Sequence, residues 1–261
     1  MNIIKTLFEH GPLGFILMFS RKMEQLFAKV PFLLRLFAKS TKSIVAFQQT
    51  RDSRFDKKFG TDTSGIISIK DLTIESKNTE NAVWYEPMSE KIFHQMIKSL
   101  SINFSDFTFI DLGSGKGRVL LMATNYGFKK IIGIEFASDL NQIAKQNIEI
   151  FKNKSKCNAF IDSICEDATE FKYPEEPLVI FFYSPFNGKV MEDVVSNISN
   201  SYSNCKRKMI LIFYGRNPGN IELLKKTKFH FKELKIRPDW TVFIKYRAIF
   251  LFSSEQLDET F

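Results

Sequence analysis

The side chains best able to do chemistry lie in one short run, Asp111-Leu112-Gly113-Ser114-Gly115-Lys116-Gly117, and in one acid further on, Glu135. Phe109, Ile110 and Leu112 are apolar, and so are Val119, Leu120 and Leu121 on the far side of the glycines. The pattern is a strand, a tight turn and the opening of a helix. Such a turn brings backbone N–H groups close to a ligand at the positive end of a helix dipole. A second strand, Lys130-Ile131-Ile132-Gly133-Ile134-Glu135, then ends in a carboxylate. A glycine turn after one strand and an acid at the tip of the next suit a nucleoside cofactor, with backbone around one end and the carboxylate on the ribose hydroxyls.

Those residues need a frame. From Phe104 the sequence alternates strand and helix, with strands expected over 106–111, 130–135, 158–163, 178–183 and 208–214. Helices are expected over 116–126, 138–151, 188–202 and 219–227, and an acidic turn, Glu166-Asp167-Ala168, follows the third strand. Alternation of this kind gives a mostly parallel sheet with helices on both faces. Two further strand-like runs, 229–236 and 241–252, are joined by Arg237-Pro238-Asp239-Trp240 and read as an antiparallel hairpin.

Upstream, Ser89 is placed to cap a helix whose core face is Ile92, Phe93, Met96, Ile97 and Leu100. Trp84 and Tyr85 precede it. Aromatic faces there would steady a cationic centre, or the pair is simply a hydrophobic plug. Gly60-Thr61-Asp62-Thr63-Ser64-Gly65 reads either as a lid or substrate loop or as an ordinary turn, with a short strand over 66–69 after it.

The chain has 261 residues, 44% of them apolar and 25% charged, which is the balance of a globular protein and excludes a disordered one. Residues 1–60 carry seven of the net eight positive charges, so a basic, partner-seeking surface belongs to that extension and not to the cofactor frame. Met23, Leu26, Phe27 and Val30 share a helix face. The extension is either a helical cap or a basic amphipathic segment that contacts a membrane surface or an acidic partner. Its longest apolar run, 15–19, falls well short of a membrane span, and no leader-peptide pattern is visible. Cys157, Cys165 and Cys205 form no C-x-x-C pair, which suits a reducing, cytoplasmic setting, peripheral to a membrane if the extension docks on one. His10, His94 and His230 are scattered, so no metal site is expected.

The third glycine of a dinucleotide motif would fall at Arg118; here the spacing is Gly113-x-Gly115-x-Gly117. Asp-Leu-Gly-x-Gly-x-Gly resembles the class I S-adenosylmethionine-dependent methyltransferases, and the resemblance runs over roughly 84–252. Glu135 matches that family's ribose-binding acid, and Asp167-Ala168 the motif that meets adenine. Phe181-Phe182-Tyr183-Ser184-Pro185-Phe186-Asn187 lies where the fourth strand meets substrate. The fold implied is α/β, a Rossmann-like seven-strand sheet, mostly parallel with a C-terminal antiparallel hairpin, plus a helical N-terminal extension. It implies a basic extension and lid loop over 1–80, a methyltransferase domain over 81–252 and a polar tail over 253–261. S-adenosylmethionine is the cofactor implied. Asp111, Gly113, Ser114, Gly115, Gly117, Glu135, Asp167, Ala168 and Tyr183 are the residues expected to bind it. The turn's N–H groups suit its carboxylate, and Asp111 suits its ammonium.

For the acceptor, Ser184-Pro185-Phe186 lacks the Asn/Asp-Pro-Pro of enzymes that methylate adenine or glutamine amines. The glycine turn, Glu135 and the upstream Tyr85-Glu86-Pro87 are similar, over 84–148, to seven-strand protein lysine methyltransferases, both the histone-lysine family without a SET domain and the family acting on an ATP synthase subunit. That resemblance implies a protein lysine as acceptor, in an aromatic channel built from Tyr85, Tyr183 and Phe186. The alternatives are a small or lipid-linked acceptor, then RNA, then a non-catalytic cofactor-binding subunit.

Overall fold

A computed structural model describes residues 52–68, 72, 84–215, 217–234 and 248–255. The expected N-terminal helices, the Arg237–Trp240 link and the end of the tail lie outside the described residues.

The chain forms one seven-stranded sheet in the order β3-β2-β1-β4-β5-β7-β6. Its strands are β1 (Thr108–Leu112), β2 (Lys130–Glu135), β3 (Ile161–Cys165), β4 (Leu178–Phe182), β5 (Met209–Gly215), β6 (His230–Leu234) and β7 (Ala248–Ser253). β1 to β5 pair in parallel, and β7 runs antiparallel to both β5 and β6. This is the mostly parallel seven-strand sheet with antiparallel C-terminal strands that the resemblance implied.

The central strands are buried along their whole length, which is why β1, β4 and β5 read as unbroken apolar runs. Edge strand β3 alternates instead, with Ile161 and Ser163 inward. One face of the sheet packs Phe93, Phe109 and Phe181 in edge-on contacts beneath helix α2 (Glu90–Lys98). The other packs Phe182 and Phe213 with Val190, Met191 and Val194 of α5 (Gly188–Asn204). Phe93, Phe109 and Phe181 are each fully buried, and burial of each contributes about 2–3 kcal/mol. Much of the unusual phenylalanine content is core.

Helices α3 (Arg118–Ala123), α4 (Ser138–Ser155) and α6 (Pro218–Lys225) complete the layers. Asn217 caps α6 through Gly219 N–H and Asn220 N–H, with Pro218 at its first position. At the amino ends of the strands, Glu176 accepts from Thr108 Oγ1 at 2.7 Å and from Lys129 and Lys130. The hydrogen bond from Lys129, then that from Thr108, hold its carboxyl down at about 2.

Several expectations shift. The helix expected over 116–126 begins at Arg118 and tightens into a 3-10 turn over Thr124–Tyr126, because Gly117 at φ +80° is still turn. β3 starts three residues later than expected, and β1 ends at Leu112, not Asp111. The short strand over 66–69 reduces to one bridge, Ile67 with Tyr85. The charged stretch 52–59 is helical (α1), with Phe55 and Phe59 one turn apart and Phe59 against Phe151 of α4. Ser253, expected to open a frayed tail, pairs with Ile210 and His230, and Ser254 N–H bonds Met209. Among the described residues no helix is long and apolar enough to cross a membrane, and no cluster of His, Cys, Asp or Glu could hold a metal.

Candidate functional site

Open parallel sheets place ligands at the carboxyl ends of their strands. Here β1 delivers the glycine turn, β2 delivers Glu135, β3 the 166–168 turn, and β4 the 183–187 loop. Gly113 and Gly115 hold φ at +78° and +54°, where glycine is at ease. A Cβ at Gly115 would sit 2.3 Å from the Tyr85 ring, and one at Gly113 would sit 2.5 Å from Pro185 Cβ. Gly113 and Gly115 carry no side chain because their neighbours occupy that space.

Its N–H groups do not face a ligand as expected. Gly113 and Ser114 donate to the Ile134 carbonyl at 2.8 and 3.1 Å, and Gly117 donates to Ser114 at 2.9 Å. Gly115 N–H donates to Glu135 Oε2 at 2.7 Å. The turn curls against the end of β2, so these donors are satisfied within the protein. What it offers a ligand is close approach, not these donors.

The two carboxylates carry the electrostatics. Asp111 is 2% exposed and receives no hydrogen bond among the described residues. Burial, then the charge of Glu135, pushes its carboxyl well above the usual range. Glu135 is 4% exposed and also accepts from Ala137 N–H at 3.0 Å. Burial pushes it up to about 7, against hydrogen bonds from Ala137, Gly115 and Phe136 that pull it down. Two buried acids near the ends of neighbouring strands suit a cation.

A pH test follows from the sign of this shift. A carboxyl raised to about 7 contributes stability at low pH that is lost as pH rises through 7. A cationic ligand favours the ionised form. The rise in Tm given by S-adenosylmethionine should therefore be larger at pH 8 than at pH 6, while the ligand-free Tm moves the other way. Glu135→Gln should flatten both trends. Equal ligand-induced shifts at the two pH values in the wild type would remove Glu135 from the site.

Beside Glu135 opens a small cleft. Ile134, Phe136, Phe186 and Val190 form apolar walls, and Glu166, Asp167 and Ala168 its acidic rim. Apolar faces with a few polar groups at the edge fit a flat nucleobase. Asp167 Oδ1 accepts from the Thr169 N–H and hydroxyl at 2.9 and 2.7 Å, which fixes the turn. Phe136 and Val190 were not singled out in the sequence. The apolar residue directly after the strand-ending acid was the available signal for Phe136.

The three rings expected to form the acceptor channel each have partners of their own. Tyr85 lies on Gly115 and donates its hydroxyl to the Thr63 carbonyl at 2.6 Å. Burial pushes that hydroxyl well above its usual range. Tyr183 stacks on Tyr214, centroids 5.1 Å apart, and packs with the core beneath α2. Phe186 belongs to the opposite core and walls the cleft, its carbonyl accepting from Asn220 Nδ2 at 2.8 Å. Between them Ser184 holds φ at +44°, a conformation strained for a side-chain-bearing residue.

The 60–65 loop lies against this turn. Asp56 accepts five hydrogen bonds from Thr61, Thr63 and Ser64. Burial raises its carboxyl, but those hydrogen bonds outweigh burial and hold it low. Lys116 Nζ reaches Asp62 Oδ1 at 2.8 Å and the Ser64 carbonyl at 3.0 Å. Arg118 donates to Thr63 Oγ1 and the Asp52 carbonyl, and Asn147 of α4 donates to the carbonyls of both Asp62 and Lys116.

The family described as histone methylation protein DOT1 matches residues 63–166. The Drosophila melanogaster histone-lysine N-methyltransferase specific for H3 lysine-79 is 39% identical over 77 residues, which are 26% of this chain and 4% of that protein. The chain thus spans a small part of the curated relative it matches. Among solved structures, an RNA methyltransferase from Salinibacter ruber in complex with S-adenosyl-L-homocysteine is 16% identical at a TM-score of 0.48, covering 66% of this chain and 97% of that one. A precorrin-6y C5,15-methyltransferase from Geobacter metallireducens is 12% identical at a TM-score of 0.49, covering 72% and 94%. The strand order above, not these likenesses, fixes the fold.

Proposed function

We propose that this chain, whose sheet is that of the class I methyltransferases, is an S-adenosylmethionine-dependent methyltransferase that modifies the side-chain amine of a protein lysine. The observation that carries this reading is the match to the DOT1 family over 63–166, the segment that contains the 60–65 loop's end, the glycine turn and both buried acids. The Drosophila relative supports lysine as the acceptor.

The residues present fit the cofactor. Asp111, a buried carboxylate, suits its ammonium. Glu135 takes N–H bonds from Gly115, Ala137 and Phe136, which leaves acceptor capacity on its carboxylate for a ribose hydroxyl. The apolar cleft with Asp167 and Ala168 at its rim suits adenine. When bound, S-adenosylmethionine supplies a methyl group already activated by a sulfonium, so the protein need not generate a strong nucleophile. The work left to these side chains is alignment and exclusion of water. On the acceptor side, the Tyr183 carbonyl and the Ser184 oxygens are hydrogen-bond acceptors of the kind an amine donates to. A lysine must lose its proton before attack, and dry surroundings favour its neutral form. Cys157, Cys165 and Cys205 form no disulfide among the described residues, which suits a reducing, cytoplasmic setting.

The test is methyl-labelled S-adenosylmethionine incubated with the protein and fractionated cell extract, beside a Gly115→Arg control. Label in a protease-sensitive band, absent with the variant, is the expected result. Label that survives protease and enters the organic or small-molecule fraction, or that is lost to nuclease, overturns the protein acceptor.

A further inference from the structure

We propose that Asp56 and Tyr85 are positioning residues for the cofactor site: through them the 52–65 segment sets the place of Gly115 and, with it, the Glu135 carboxylate. This rests on the methyltransferase reading above.

The connection is continuous in space. Asp56 gathers the Thr63 N–H at 2.8 Å and the Thr63 hydroxyl at 2.7 Å. The Thr63 carbonyl, fixed by those contacts, takes the Tyr85 hydroxyl at 2.6 Å. The Tyr85 ring lies directly on Gly115, and Gly115 N–H meets Glu135 Oε2 at 2.7 Å. Gly115 has no side chain with which to hold itself, so its position is set by what covers it. Tyr85 is that cover.

A second set of contacts fastens the same segment to both sides of the turn. Lys116 binds Asp62, Arg118 binds Thr63, and Asn147 bridges the Asp62 and Lys116 carbonyls. Thr63, Arg118 and Asn147 are all at least nine-tenths buried, so water competes little for these bonds. Lys116 and Arg118 lie inside and just after the glycine motif, yet their side-chain hydrogen bonds go to this segment and not to the cleft. Among the described residues, the side-chain polar contacts of Asp56 end at Thr61, Thr63 and Ser64 and touch no strand of the sheet. Releasing them should disturb the turn and leave the sheet intact.

The experiment titrates S-adenosylhomocysteine calorimetrically into the full chain, its Asp56→Ala variant and its Tyr85→Phe variant. Near-UV circular dichroism of each is recorded first. Tyr85→Phe keeps the ring on Gly115 and removes only its tie to Thr63, so it reports even if Asp56→Ala does not fold. Affinity should fall about tenfold in Asp56→Ala and by a smaller factor, about threefold, in Tyr85→Phe. In turnover assays the KM for S-adenosylmethionine should rise while kcat at saturating cofactor stays near wild type, a split that general destabilisation does not give. Unchanged affinity in a folded Tyr85→Phe, or a loss confined to kcat, overturns the proposal and returns Tyr85 to the acceptor side. Failure of the wild type itself to bind S-adenosylhomocysteine overturns the methyltransferase reading, and this proposal falls with it.

Discussion

Gly115→Arg is expected to abolish S-adenosylmethionine binding, with affinity falling by more than about a hundredfold while the sheet stays folded. Two effects act together. At φ +54° any side chain is strained, which alone costs about 1 kcal/mol. The first carbon of that side chain would also lie 2.3 Å from Cδ2 of Tyr85. That ring is confined by its hydroxyl bond to Thr63, so the turn must give way. Moving the turn breaks the Gly115 N–H bond to Glu135, and the acid loses the donor that aims it. Gly115→Ala should act in the same direction, because the clash begins at Cβ. Isothermal titration on the purified variant checks this. Retained binding would show that the ligand does not use this turn.

Asp111→Asn carries the second large effect, and its signature is two changes of opposite sign. Asp111 sits in the middle of the sheet, opposite Gly133 and Phe181, with no hydrogen-bond partner of its own among the described residues. Burial penalises its charge, so the fold contributes stability from this group only while it is protonated, and that contribution is lost as pH rises through its raised value. A neutral amide of the same shape avoids the penalty. The ligand-free variant should melt at a higher temperature than the wild type at neutral pH. Cofactor binding should weaken by about a hundredfold, because the ligand's ammonium loses a buried counter-charge. Thermal melts and titrations on the same sample read both. A variant that melts higher and binds as well as wild type would reduce Asp111 to a structural acid.

Much of the frame was legible in the sequence because parallel βα units are written locally. The apolar run 178–182 could only be a strand buried on both faces, and Glu135 could only be the end of its strand. The site was legible at those strand ends, where position along the chain fixes position in space. What sits across the cleft was less so. Phe186 follows β4 by four residues, and nothing local says whether its ring turns toward the acceptor or toward the cleft wall. Asp56 had a faint signal, a carboxylate followed by Thr61, Thr63 and Ser64 between two glycines. That those hydroxyls would fold back onto it, and that Asn147 would reach Asp62 from 85 residues away, depends on tertiary packing that no short window contains. The fate of the glycine turn's N–H groups was hidden for the same reason. Their acceptors, the Ile134 carbonyl and the Glu135 carboxylate, come from the next strand.

The insertion of β7 between β5 and β6 has a bearing on synthesis. Strands β1 to β5 can pair in the order in which a ribosome delivers them, since each new strand meets a partner already made, on one side of β1 or the other. β6 cannot. It emerges before β7 but touches the sheet only through β7, so it must wait unpaired while β5 keeps an open, wholly apolar edge. Such an edge is a template for other chains. The nascent protein therefore passes through a stage in which its cofactor half is already shaped while its other half is most open to misassociation, and delivery of residues 248–253 ends that stage by filling both gaps at once.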